Sequence, residues 1–139
     1  MNQRVLFILV FLLLVFSSSS LAEIVLITDL ENPVSEISTL DAKNIFLGKR
    51  RSWADGSMLI PVTQVDRAAT DQFSRKYLNM SVAQYNLYWR QMLFTGTGLP
   101  PLAVADDAAM KKMVATKLGA IGYISASSLD ATVKKLEIR

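Results

Sequence analysis

The sequence has 139 residues and a formal net charge of +3 at pH 7, with 15 Lys and Arg against 12 Asp and Glu. Because the basic residues are scattered and only slightly in excess, this balance gives no support for nucleic acid as a partner. The chain also contains no His and no Cys, which removes the usual metal ligands, the most common general base and every thiol nucleophile. The Gly-x-Ser-x-Gly motif is absent as well, so we expect no catalytic residues, no metal site and no cofactor.

The first 22 residues have the features of a cleavable signal peptide. Arg4 provides a positive charge, residues 5–16 are apolar without interruption, and Ser20-Leu21-Ala22 approximates the small-x-small pattern before a cleavage site. The apolar run is shorter than the about 20 residues that a membrane span needs. We therefore expect residues 1–22 to be removed and residues 23–139 to form one periplasmic domain. The alternative is an uncleaved N-terminal anchor.

The domain begins with a predicted strand, a loop and a helix. Residues 23–28 are rich in β-branched side chains and are typical of a buried strand, whereas residues 29–38 contain Asn32-Pro33 and are typical of a loop. Thr39 can cap a helix over about residues 40–47, which Gly48 ends. The apolar positions that would place this helix on a sheet are Leu40, Ile45 and Phe46.

Two features after this helix have alternative interpretations. The basic run Lys49-Arg50-Arg51 either contacts an anion or a membrane, or simply complements the carboxyl end of the helix dipole, and we favour the second. Trp53 either stacks on a ligand or covers the edge of the core. The second is more common for a tryptophan just before a strand.

The central stretch predicts a strand that leads into a helix. Residues 58–62 form a short apolar run of strand length. Asp66 lies where an N-cap belongs, and Phe73 and Tyr77 share one face of the helix predicted over residues 67–79. A helix N-terminus after a strand presents unpaired backbone N–H groups, which favours an anion-binding site at this point.

The next helix is predicted by a capping box, in which Ser81 and Gln84 hydrogen-bond to each other's backbone. Its apolar stripe consists of Val82, Tyr85, Trp89, Met92 and Leu93. The aromatic residues Tyr85, Tyr88, Trp89 and Phe94 are spaced as core residues rather than as a binding platform. The glycines of residues 94–101 either bring backbone N–H groups near a phosphate or belong to an ordinary loop.

The remaining chain predicts a short strand at residues 103–105 and a helix capped by Asp106 or Asp107 that runs to about Leu118. A buried strand follows at residues 120–124, where Gly122 indicates close backbone approach. The last predicted strand covers residues 133–138. The inward residues of this segment are expected to be Met110, Met113, Val114, Leu136 and Ile138.

Strands alternate with helices throughout, which favours an α/β fold. We expect one domain with a central sheet of four or five mostly parallel strands and helices on both faces. The residues expected to be largely buried are Phe46, Leu59, Ile60, Val62, Phe73, Trp89, Ile121 and Tyr123.

The order of these motifs resembles one lobe of the phosphate ABC-transporter substrate-binding proteins, a family of the type-2 periplasmic-binding-protein superfamily. The matching pieces are Ile45-Phe46-Leu47-Gly48, Trp53, the apolar strand at residues 59–62, and Gly119-Ala120-Ile121-Gly122-Tyr123. The resemblance implies a single three-layer lobe. It also implies a periplasmic protein that binds phosphate or a similar oxyanion, with an ABC permease as its membrane partner.

The chain departs from this family at the ligand-binding motif. In this family, an apolar strand leads into a Ser-Gly-Thr turn at a helix start. When the sequences are aligned on Phe73, this turn falls on Arg67-Ala68-Ala69. The candidate ligand contacts in this chain are therefore Gln64, Arg67 and Thr70. We predict that Arg67 lies beside Thr70, faces solvent and either contacts an anion or pairs with Asp66 or Asp71. A single lobe offers only half a cleft, which a homodimer would complete. The alternative function is a ligand-free protein-interaction module that serves a membrane sensor.

Overall fold

The computed structural model describes residues 23–139, so the predicted signal peptide and the alternative anchor lie outside the described residues. Of the helices in residues 23–139, none combines the length and apolar character needed to span a bilayer. The elements are β1 (Ile24–Thr28), β2 (Glu36–Ile37), α1 (Thr39–Phe46), β3 (Ile60–Gln64), α2 (Arg67–Phe73) with a π-helical turn (Ser74–Leu78), α3 (Val82–Phe94), β4 (Leu102–Val104), α4 (Asp107–Thr116), β5 (Ala120–Ser125) with a 3₁₀ turn (Ala126–Ser128), and β6 (Lys134–Ile138).

The described strands form one sheet in the order β2-β6-β1-β5-β3-β4. Strand β1 is antiparallel to both of its neighbours, and the other three pairings are parallel. The prediction of a mostly parallel sheet is therefore confirmed. The predicted number of four or five strands was wrong, because the described sheet has six. The extra strand is the two-residue β2, which lies in the stretch predicted as a loop because Asn32-Pro33 dominates its local signal.

Each face of the sheet has its own hydrophobic core, because successive side chains of a strand point to opposite faces. On one face, Leu26 and Tyr123 pack with Phe46, Phe73 and other residues of the first three helices. On the other face, residues of β1, β3 and β5 pack against α4; these include Ile27, Val62, Met110 and Ile124. The predicted three-layer arrangement with helices on both faces is confirmed.

The residues expected to be largely buried are all buried except Ile60. Ile60, the first residue of β3, is half-buried and packs against the core on the α4 face. The structure also exposes residues that were expected to face inward: Leu40, Leu93, Phe94 and Ile138. Three of them lie in the first or last turn of a helix and the fourth ends β6. Periodicity predicts which side of a helix or strand faces the core, but it does not predict how much of the length of that element other residues bury.

The predicted helix starts are confirmed with one correction. Asp66, Ser81 with Gln84, and Asp106 cap α2, α3 and α4. Ser38 rather than Thr39 caps α1, because its hydroxyl accepts a hydrogen bond from Asp41 N at 3.0 Å.

Of the two features with alternative interpretations, the structure gives Trp53 a structural role, while the basic run is only partly paired. Trp53 is buried, and its Nε1 donates a hydrogen bond to the Gly119 carbonyl at 3.1 Å. Arg50 pairs with Asp41, in the first turn of α1, at 3.0 Å, so the predicted role of the basic run at the carboxyl end of this helix stays a prediction. Gly122 permits close approach as predicted, because a Cβ there would lie 2.3 Å from Met110 Sδ.

Candidate functional site

The candidate site lies at the edge of the sheet formed by the carboxyl ends of its parallel strands. Strands β3, β4 and β5 are mutually parallel, so their carboxyl ends meet at this edge. Helices α2 and α4 begin there, directly after β3 and β4. Edges where parallel strands end and helices begin are common places for ligands in α/β folds.

Gln64, the last residue of β3, is only 5% exposed, and the structure pairs its side-chain amide with other protein groups. Its Nε2 donates hydrogen bonds to Asp107 Oδ1 and to the Tyr123 carbonyl, both at 2.8 Å. Its backbone N–H donates to the Tyr123 hydroxyl at 3.0 Å. The Gln64 amide therefore joins β3 to β5 and α4.

Thr70 is also buried, at 4% exposure, and its hydroxyl is similarly engaged. It donates to the Gln64 carbonyl at 2.9 Å and lies 2.7 Å from the Tyr123 hydroxyl, which lies 2.7 Å from Thr63 Oγ1. Burial raises the pKa of Tyr123, so this hydroxyl stays protonated over the physiological range. The structure thus brings Gln64 and Thr70 together around the Tyr123 hydroxyl, which sequence analysis did not include.

Arg67 lies where it was predicted, as the exposed first residue of α2. It lines a cavity of about 450 Å³ together with Thr70 and Gln64. In the described part of the chain, no carboxylate lies within 4.0 Å of its guanidinium, and Asp71 pairs instead with Arg75 at 2.9 Å. Whether Arg67 binds a ligand stays a prediction.

One backbone N–H group at each of the two helix starts already has a carboxylate partner. The carboxylate of Asp66 accepts a hydrogen bond from Ala69 N at 3.0 Å. The carboxylate of Asp106 accepts one from Ala109 N at 2.9 Å. At each helix start, the protein's own side chain therefore takes one of the donors that an external anion would use.

Asp107 also belongs to this edge, although sequence analysis mentioned it only as an alternative helix cap. Its Oδ1 accepts from Gln64, while its Oδ2 accepts from Ser125 N at 3.1 Å and from Ser128 Oγ at 2.7 Å. Burial alone raises the pKa of Asp107, but these hydrogen bonds outweigh it and hold the pKa below its ordinary value. The carboxylate is charged and links α4 to β3 and β5.

We expect this carboxylate to make the fold sensitive to acid. Because the pKa of Asp107 is lower in the folded than in the unfolded chain, its stabilising contribution is present above the unfolded pKa of about 4 and is lost as pH falls through the folded value. The Asp107→Asn variant should therefore lose less unfolding free energy than the unsubstituted protein between about pH 5 and pH 2. Urea unfolding followed by circular dichroism at each pH measures this. Parallel curves for the two proteins would contradict the assignment.

The electrostatic character of this edge is acidic. A second cavity, of about 700 Å³, is lined by Asp66, Asp106, Asp107 and Asp130, with Lys111 as its one cation among the described residues. Lys111 pairs with Asp130 at 2.7 Å. Within residues 23–139, no three His, Cys, Asp or Glu residues are arranged to hold a metal ion.

Comparisons with known proteins identify the fold. No family model matches the sequence, and no curated protein matches it significantly. Among solved structures, an ABC-type phosphate transport receptor from Vibrio cholerae is similar, with a TM-score of 0.64 and 21% identity over 85% of this chain and 47% of that one. A phosphate ABC transporter substrate-binding protein from Clostridium perfringens, solved with bound phosphate, has a TM-score of 0.67 and 22% identity over 85% of this chain and 46% of that one.

A third similar structure, PstS from Borrelia burgdorferi, has a TM-score of 0.62 and 14% identity, again over 85% of this chain and 47% of that one. This chain thus spans less than half the length of each of these structures. The similar proteins named are binding proteins rather than enzymes. The resemblance to the phosphate ABC-transporter family is confirmed for the fold: the described residues have the architecture of one lobe of a phosphate-type substrate-binding protein.

Proposed function

We propose that this solute-binding-like lobe acts in the periplasm, without catalysis, by binding another protein rather than by enclosing phosphate. The proposal rests on the hydrogen bonds of the candidate site, whose polar side chains are bonded to the protein itself. The Gln64 amide and the Thr70 hydroxyl bond to protein groups, and the Asp66 carboxylate caps the helix at which an anion would bind.

The charge at this edge supports the same conclusion. A phosphate that entered the 700 Å³ cavity would approach Asp66, Asp106 and Asp107. Two unit charges 4 Å apart repel by about 1 kcal/mol in water and about 4 kcal/mol near a protein surface. Lys111 offsets little of this, since it is paired with Asp130.

Arg67 favours a second candidate function, oxyanion binding. Its guanidinium is exposed, has no carboxylate partner in the described residues, and borders a cavity without an acidic lining residue. In this candidate, Arg67 contacts phosphate while Gln64 and Thr70 hold the backbone around it. In this candidate, a second copy of the lobe completes the cleft in a homodimer, and an ABC permease is the membrane partner.

Phosphate titration by calorimetry at low salt distinguishes the two functions. We expect no saturable heat up to about 10 mM phosphate. Even a Kd of about 1 mM requires about 4 kcal/mol of binding free energy, and the Gln64 amide and the Thr70 hydroxyl already donate to protein groups. The matched variants are Arg67→Ala and Lys112→Ala, since Lys112 is an exposed cation on α4. Saturable heat that disappears only in Arg67→Ala would contradict the proposal and establish oxyanion binding.

A further inference from the structure

A groove runs along α3 on the side facing the edge strand β4. It consists of the cavity beside Arg67, of about 450 Å³, and a cavity of about 660 Å³ bordered by Arg51, Leu59 and Leu99. Trp89 lines both cavities and lies where they meet. We call this surface the α3 groove.

The floor of the α3 groove is rigid and apolar. The Trp89 ring is fixed by a hydrogen bond from its Nε1 to the Phe46 carbonyl at 3.2 Å. Backbone packs closely on it, since a Cβ at Gly48 would lie 2.8 Å from Trp89 Cη2 and one at Gly98 would lie 3.4 Å from Trp89 Cζ3. A preformed apolar surface of this kind binds a partner without a large ordering cost.

The rim of the groove exposes large apolar side chains. Leu93 is 54% exposed and Leu99 is 80% exposed, and both line the groove. Phe94, next to Leu93, is 92% exposed. Scattered apolar residues are common on protein surfaces, but several together around a concavity mark an interaction site.

The groove is also cationic. Its lining includes Arg50, Arg51 and Arg67 and no Asp or Glu. Arg50 is paired with Asp41, whereas Arg51 and Arg67 have no carboxylate within 4.0 Å among residues 23–139. The acidic residues gather instead at the cavity between the starts of α2 and α4.

We propose that the α3 groove binds an extended segment of a partner protein, and that this segment carries both apolar and acidic residues. This inference rests on the proposed function. Apolar side chains of the segment contact Leu93 and Leu99, while its carboxylates pair with Arg51 at one end and Arg67 at the other. Within residues 23–139, strand β4 pairs only with β3, so its other side is free beside the groove for backbone hydrogen bonds.

Charge and shape favour this occupant over the alternatives. In a symmetric contact between two copies, each α3 groove would meet a groove of the same positive sign. A contact between the groove of one copy and the acidic edge of another would not close and would extend into a filament. A membrane offers a flat anionic surface, which does not reach the indole at the bottom of a concave groove.

The test is a selection of displayed random peptides of about 12 residues on the purified protein, followed by anisotropy measurements with the best peptide. Enriched peptides should combine Asp or Glu with Leu or Phe. The Kd should rise at least about tenfold, or about 1.4 kcal/mol, in Arg51→Glu and in Arg67→Glu. The control Lys112→Glu makes the same charge change outside the groove and should leave the Kd within about twofold.

Other outcomes would overturn the proposal. These are enriched peptides without acidic residues, affinities unchanged by both arginine variants, co-sedimentation with anionic phospholipid vesicles that Leu99→Asp abolishes, or a dimer in ultracentrifugation that Leu99→Asp dissociates. If neither peptides nor phosphate bind, the groove assignment alone fails. Phosphate heat that requires Arg67 would instead overturn the proposed function.

Discussion

The Phe73→Ala variant should lose about 3–5 kcal/mol of unfolding free energy, the range for removing a fully buried phenylalanine. The Phe73 ring stacks on Tyr123 with centroids 3.9 Å apart and planes 3° apart, and it meets Phe46 edge-on at 4.7 Å. It joins α2 to β5 and α1, so alanine leaves a cavity that three rigid elements cannot close. Urea unfolding monitored by circular dichroism measures the loss.

The matched control is Phe94→Ala, which removes the same atoms from a side chain that is exposed at the end of α3. Its unfolding free energy should change by no more than about 0.5 kcal/mol. Losses of similar size in the two variants would show that Phe73 is not at the centre of this core.

The Gly119→Ala variant should lose about 2–5 kcal/mol, the sum of a left-handed backbone cost and a steric cost. Gly119 has a φ of +84°, and a Cβ there would lie 2.2 Å from the Met58 carbonyl oxygen. That oxygen belongs to backbone, so the clash cannot be relieved by a rotamer change. Movement would also disturb the Gly119 carbonyl, which accepts hydrogen bonds from Ile60 N and Trp53 Nε1.

Gly56→Ala separates the two costs. Gly56 has nearly the same φ, +85°, but a Cβ there meets no atom within 4 Å. This variant should lose only the backbone cost, about 1–2 kcal/mol. Equal thermal and urea stabilities for the two variants would contradict the steric assignment at Gly119.

Sequence analysis succeeded where the determinants are local. The Asp66 cap and the Ser81–Gln84 capping box are set by residues within one turn, and both are confirmed. The π-helical turn at Ser74–Leu78 has no comparable local signal and was missed. Phe73 and Tyr77 are nevertheless both buried on the core side, as their spacing predicted.

The candidate site was predicted less completely, because its bonding partners come from distant parts of the chain. The strand-to-helix pattern correctly placed Gln64, Arg67 and Thr70 near one another. It contained nothing to show that the Tyr123 hydroxyl and Asp107 hydrogen-bond to Gln64 or Thr70. Those contacts depend on the positions of β5 and α4 relative to β3, which periodicity and capping signals do not specify.

The position of β1 in the middle of the sheet has a consequence for how the chain acquires its structure. Ile24 pairs with Ser125 and Leu26 pairs with Leu136, so both neighbours of this first strand are roughly a hundred positions away, the kind of contact that slows folding. Until β5 and β6 have both been synthesised, β1 lacks at least one of the two strands that pair with its backbone. We therefore expect the central pairings of the sheet to form late and folding to be slow for a domain of this size.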